Sequence, residues 1–185
     1  MNNRLLVLIA FIVSAALSRL LPHPPNVTPI AAMALFGGAY FGSRKLAFLL
    51  PFAAMVLSDL LLAATVYGTA GLRSQPAVYV CLAATVALGM LIGRRRSTAR
   101  IAGATLGASV LFYIGTNFAV WAFGSLYPKD WSGLTACYTA AIPFFRNSLV
   151  GDACYVALLF GGFALVERSV RSVREQPQAV AANTA

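Results

Sequence analysis

The chain has 185 residues, 59% of them hydrophobic and only 10% charged, with a net charge of +9. Its mean hydropathy is +0.78, whereas a soluble domain of this length carries about a quarter charged residues. The composition excludes a soluble enzyme, and it leaves no stretch for a separate soluble domain. Whatever the chain does falls to a membrane bundle and its short loops.

Six apolar segments occur, at about 4–21, 30–42, 46–66, 76–93, 101–124 and 147–166. Runs of about 18–20 apolar residues suffice to cross a bilayer. The first segment, RLLVLIAFIVSAALSRLL, has the basic start and apolar centre of a secretory signal. Arg19 and the LLP that follows fit a cleavage site poorly, so it reads as a retained helix. Next comes LLPHPPNVTP, a stiff turn that sets the only histidine, His23, among four prolines. The second segment is short, an incompletely spanning or tilted helix, and the glycines of its FGGAYFG end permit close helix approach. The third carries Asp59 in AAMVLSDLLLAA, and the fourth carries Cys81 in AVYVCLAATVALG. In the fifth, Tyr113, Asn117 and Trp121 are spaced to share one helix face. A long connection, SLYPKDWSGLTACYTAAIPFFR at 125–146, reads as a loop before the sixth segment with Asp152 in LVGDACY. Residues 1–170 form a single domain, and 171–185 read as a disordered tail.

The basic residues set the orientation. Arg4, Arg44, Lys45, Arg94, Arg95, Arg96, Arg100, Arg168, Arg171 and Arg174, ten of the fourteen, fall on one side of the six spans. Arg19, Arg73, Lys129 and Arg146 fall on the other. The positive-inside rule then places both termini in the cytoplasm. This distribution also accounts for the +9 without a nucleic-acid partner. In that topology Asp59, Cys81, Asn117, Trp121, Asp152, the HPPNVTP turn and the 125–146 connection all lie toward the outer side. The asymmetry points to a binding pocket open to the outside.

Each candidate has two readings. Intramembrane acids are costly and mark function by default; Asp59 is either a ligand contact or the partner of Arg146 or Arg73 in a structural ion pair. Asp152, nearer the interface, favours the structural reading. Asn117 is glue between helices or a pocket donor. Tyr127, Trp131 and Tyr138 are headgroup anchors or a lid over a flat ligand. Cys81, Cys137 and Cys154 are an odd set without paired spacing, so they make neither a disulfide nor a zinc framework. A buried cysteine is by default a small hydrophobe, yet one facing a cavity is a soft ligand for a transition metal. His23 either bonds a backbone carbonyl or is presented to a ligand by the prolines.

Four strings taken together resemble a known group: LPHPPNVTPIAAMALFGGAYF, LLPFAAMVLSDLLL, FYIGTNFAVW and YPKDWSGLTACYTAAIPFFRNSLVGDACY. They are similar to the solitary vitamin B12 transporters of Gram-negative bacteria, the BtuM group, over residues 20–162. That group is related to the substrate-binding S-components of energy-coupling-factor transporters. The resemblance implies an all-α integral membrane protein of the bacterial inner membrane, a six-helix S-component-like bundle. It implies cobalamin as the transported, cobalt-containing ligand, bound in an outward cavity. It further implies a cysteine that ligates cobalt and assists removal of the upper cyanide from cyanocobalamin. That role is carried onto Cys81, with Cys137 of the GLTACY string as competitor. His23, Asn26, Asp59, Tyr79, Asn117, Trp121, Trp131, Tyr138 and Arg146 are the expected cavity lining. No G-x-x-x-x-G-K-[ST] string is present, so no ATP site is expected, and an energy-coupling module is a candidate partner. Two other classes compete: an intramembrane enzyme acting on a lipid-borne or tetrapyrrole substrate, and a non-catalytic membrane subunit.

Overall fold

The structure, a computed structural model, describes residues 3–68, 75–93 and 96–174. Among them every secondary-structure element is a helix. Helix α1 spans Asn3–Ser18, α2 Ile30–Tyr40, α3 Arg44–Leu62, α4 Gln75–Ile92, α5 Thr98–Phe123 and α6 Trp131–Val156. A π-helical turn at Ala63–Tyr67 extends α3. A second, at Ala157–Gly161, joins α6 to α7 (Gly162–Ser169) in one continuous rod. Three helical stretches are long and apolar enough to cross a membrane: Arg44–Val66, Thr98–Phe123 and Trp131–Ser169.

Helix α2 is the centre of the bundle. Its sequence, IAAMALFGGAY, is apolar on every face, and residues 31–40 are all buried. A helix apolar all round has to be enclosed, and α2 packs on α1, α3, α4, α5 and α6. At 11 residues it is about 16 Å long, too short to cross a bilayer alone, in line with the shortness of the second apolar segment.

Glycine makes that enclosure tight, as FGGAYFG suggested. A Cβ on Gly38 would strike Val86 O and lie 2.8 Å from Met90 N, and one on Gly89 would strike Leu35 O. The backbones of α2 and α4 therefore touch at reciprocal glycines. Gly37 does the same for α3, whose Pro51 ring would sit 2.6 Å from a Cβ there. Around them Phe11, Phe36, Tyr40, Phe160 and Phe163 interlock edge-to-face and stacked, with centroids 4.7–5.9 Å apart.

Two expectations are corrected here. The 125–146 connection is a loop only at its start; from Trp131 onward it is helix, with Pro143 inside it. Asp130 caps that helix by accepting from Gly133 N at 2.8 Å, which satisfies a donor that the first turn leaves free. The stretch Trp131–Ser169 is 39 residues, about 58 Å, nearly twice the ~30 Å of a bilayer's hydrocarbon core. The tail is also ordered further than expected. Residues Arg171–Val173 form a 3-10 turn, Val173 is 2% exposed, and its carbonyl accepts from Arg4 at 2.7 Å. The rest of the predicted tail, 175–185, lies outside the described residues.

Candidate functional site

The polar residues collect in two clusters. The first joins the segment after α1 to α3 and α4. Arg19 Nη2 donates to Asp59 Oδ1 at 2.7 Å, and Tyr79 OH donates to Asp59 Oδ2 at 2.8 Å. The other terminal nitrogen, Nη1, donates to Ser58 Oγ and approaches Met55 Sδ at 3.2 Å. Ser58 sends its own hydrogen to Met55 O at 2.9 Å. Arg19 and Asp59 are 7% and 4% exposed. Each acceptor thus has a donor, the condition under which a buried pair holds together.

This corrects the expected partner of Asp59. It is Arg19, while the Arg146 side chain is exposed and Arg73 lies outside the described residues. The reason is geometric: α1 ends at Ser18, so Arg19 turns inward at the level where α3 presents Asp59. The available signal was an arginine closing an apolar run, where a charge in that setting normally has an intramolecular partner.

The second cluster lies between α5 and α6. Tyr113 OH donates to Tyr138 O and Tyr138 OH to Ile114 O, both at 2.7 Å. Tyr113 packs on Tyr138 and Phe145 with centroids 5.5 and 4.6 Å away. Asn117 Nδ2 donates to Tyr113 O one turn earlier at 2.8 Å, so its amide has a partner without any ligand. Cys137 Sγ donates to Asn117 O at 3.5 Å. Trp121 Nε1 donates to Pro128 O at 2.8 Å, closing the α5–α6 connection, while Trp131 is 78% exposed.

Cys81 belongs to neither cluster. It is buried against α5, where a Cβ on Gly115 would lie 2.6 Å from its Sγ, and Leu111 O is 4.0 Å away. Tyr79, two positions earlier, faces Asp59 on α3 instead, so the two residues point to different sides of α4. The expected cavity lining is therefore split between two faces. A cavity of about 290 Å³ exists elsewhere, lined by Phe11, Ser14, Ala15, Ser18, Tyr155, Leu158 and Leu159, none of them an expected site residue. Among the described residues no group of three or more His, Cys, Asp or Glu side chains is arranged to hold a metal ion.

The proline-rich turn is held against α6. Asn147 Nδ2 donates to Pro25 O at 3.1 Å, and a Cβ on Gly151 would lie 2.9 Å from Val27 Cα. His23 Nδ1 lies 3.1 Å from Pro24 O, the backbone contact that one of its two readings anticipated. Asn26 is exposed and adopts φ +64°, a left-handed conformation that asparagine tolerates better than most side chains. Asp152, the residue after Gly151, lies with Oδ2 2.6 Å from Ser109 Oγ and is 6% exposed.

A helical bundle with membrane-length apolar helices and a buried Arg–Asp–Tyr network is the class that this geometry defines. A family model described as a family of unknown function, DUF6580, matches residues 1–177, and the chain belongs to that family. No curated protein and no solved structure matches it.

Proposed function

We propose that the chain is a cobalamin-binding uptake protein of the bacterial inner membrane, with six spans, cytoplasmic termini and a ligand site toward the outer end. One observation supports this beyond the sequence strings themselves. The two most specific strings, LPHPPNVTPI and PFFRNSLVGD, lie more than 100 residues apart in the chain. They nevertheless meet through Asn147 and Pro25, and through Gly151 and Val27. The motif thus behaves as one spatial unit beside the Arg19–Asp59–Tyr79 network.

In this reading Cys81 is the cobalt ligand, and it reaches the metal only when its thiol leaves the seat against Gly115 and Leu111. Ligand entry therefore parts α4 from α5. The thiol must also lose its proton before it can bind cobalt, which ties ligation to the opening of that seam. A second reading, a non-catalytic membrane subunit, is favoured by the internal pairing of Asp59, Tyr79 and Asn117.

The test is a spectrum of protein purified from cells fed cyanocobalamin. A bound corrinoid is expected, with a thiolate–cobalt signature lost in C81A and retained in C137A. Absence of bound corrinoid, together with failure to rescue a strain dependent on B12 uptake, would refute the proposal and leave the subunit reading. Loss of the signature in C137A alone would move the ligand to Cys137.

A further inference from the structure

Asp152 is a buried carboxylate that the proposed function does not use. Among the described residues it forms no ion pair; the ion pairs are Arg4–Glu167 and Arg19–Asp59. Among the described residues its neighbours supply no cation. Helix α2 carries no charged residue, and α5 carries only Arg100, nine positions before Ser109, about 13 Å along the axis. The π-helical turn ALLFG that follows α6 is uncharged. On α6 itself Arg146 is exposed, six positions earlier, and Tyr155 OH accepts from Ser18. In the adjoining turn Arg19 is committed to Asp59, and the His23 ring is at Pro24 O.

The hydrogen count at Ser109 favours a protonated Asp152. Ser109 Oγ lies 2.6 Å from Asp152 Oδ2 and 3.1 Å from Thr105 O. A serine hydroxyl has one hydrogen to give and two lone pairs to receive. With an ionised Asp152, two acceptors compete for one hydrogen. With a protonated Asp152, the acid donates to Ser109 and Ser109 donates to Thr105 O, so both contacts are satisfied. An ionised carboxylate without a cation is also the costlier occupant of this interior.

We infer that Asp152 is a proton-binding site inside the bundle, holding its proton as a neutral acid in an Asp152–Ser109–Thr105 chain that clasps α6 to α5. Taking up the proton from water completes the chain; releasing it forces Ser109 to abandon Thr105 O and leaves a bare charge at the helix contact. Gly151, the preceding residue, is pressed on Val27 and Thr28. The proton therefore sits at the seam between the α5–α6 pair and the proline-rich turn, where its release loosens both.

Infrared spectroscopy of the full chain in lipid bilayers at neutral pH, with carboxyl-labelled aspartate for assignment, tests this. A carboxylic-acid carbonyl band is expected in the wild type, lost in D152N and moved to higher frequency in S109A, where the hydrogen bond is missing. A wild-type minus D152N difference containing only ionised-carboxylate bands overturns the inference. Should D152N fail to fold, the S109A comparison decides: an acid band that shifts supports the chain, and the absence of any band sensitive to Ser109 overturns it.

Discussion

Breaking the Arg19–Asp59 pair from one side should cost far more than removing it from both. Asp59→Leu leaves a guanidinium that is 7% exposed facing Ser58 and Met55, and it also frees the Tyr79 hydroxyl. Arg19→Met leaves a carboxylate that is 4% exposed with Tyr79 as its remaining donor. Removing one member of a buried pair costs about 3–5 kcal/mol, because the surviving charge has lost its compensation. Replacing both members by apolar residues of similar volume is often neutral or stabilising. The double variant Arg19→Met/Asp59→Leu should therefore cost little beyond the freed Tyr79 hydroxyl, about 1–3 kcal/mol, giving a coupling energy of several kcal/mol instead of additivity. Reversible unfolding in mixed micelles measures all four corners of this cycle. Additive single costs, each below about 1 kcal/mol, would refute the buried network. Arg146→Ala serves as the control; an exposed side chain should change stability by about 0.5 kcal/mol or less.

The same unfolding assay separates tight glycines from free ones. Gly38→Ala and Gly89→Ala drive a methyl into Val86 O and Leu35 O, and each should cost about 1–3 kcal/mol or more through overpacking. Gly103→Ala and Gly107→Ala meet nothing within 4 Å and should gain up to about 1 kcal/mol from helix propensity; a loss at either would show that α5 is packed on that face. Hydrogen bonds from the Gly133 amide and the Ser132 hydroxyl hold the Asp130 carboxyl below the usual aspartate value. Its cap contribution is fully present above the unfolded value of about 3.9 and is lost as pH falls through the lower native value. Asp130→Asn should keep the cap and abolish that acid dependence, read as amide exchange in the first turn of α6; an unchanged pH profile would count against the cap.

Much of the helical layout is legible in the sequence alone. Six apolar segments correspond to the six principal helices, and Gly37 and Gly38 of FGGAYFG sit at close helix contacts. These properties are local: apolar length and the absence of a side chain are written in consecutive residues. An ion-pair partner is one of the two readings that the sequence leaves open for Asp59, because burial of a lone charge is costly wherever the helix lies. What stays hidden is pairwise. Nothing local distinguishes Arg19 from Arg146 as the partner of Asp59, since both border apolar runs. The helicity of 131–146 is masked by its aromatic and small polar residues, although Asp130 before Trp131-Ser132-Gly133 is a readable cap.

The sequence by itself determined that the chain is a helical protein of membrane-like composition. It did so because hydropathy acts on each segment independently of the others. Only the tertiary structure decided that α2 is enclosed at the centre, that Arg19 closes on Asp59, and that Cys81 and Tyr79 face different neighbours. It also decided that Ser109 and Asp152, 43 positions apart, share one hydrogen-bond chain. Those outcomes depend on the rotation and depth at which the helices meet, and backbone approach at Gly38 and Gly89 fixes both for α2 and α4.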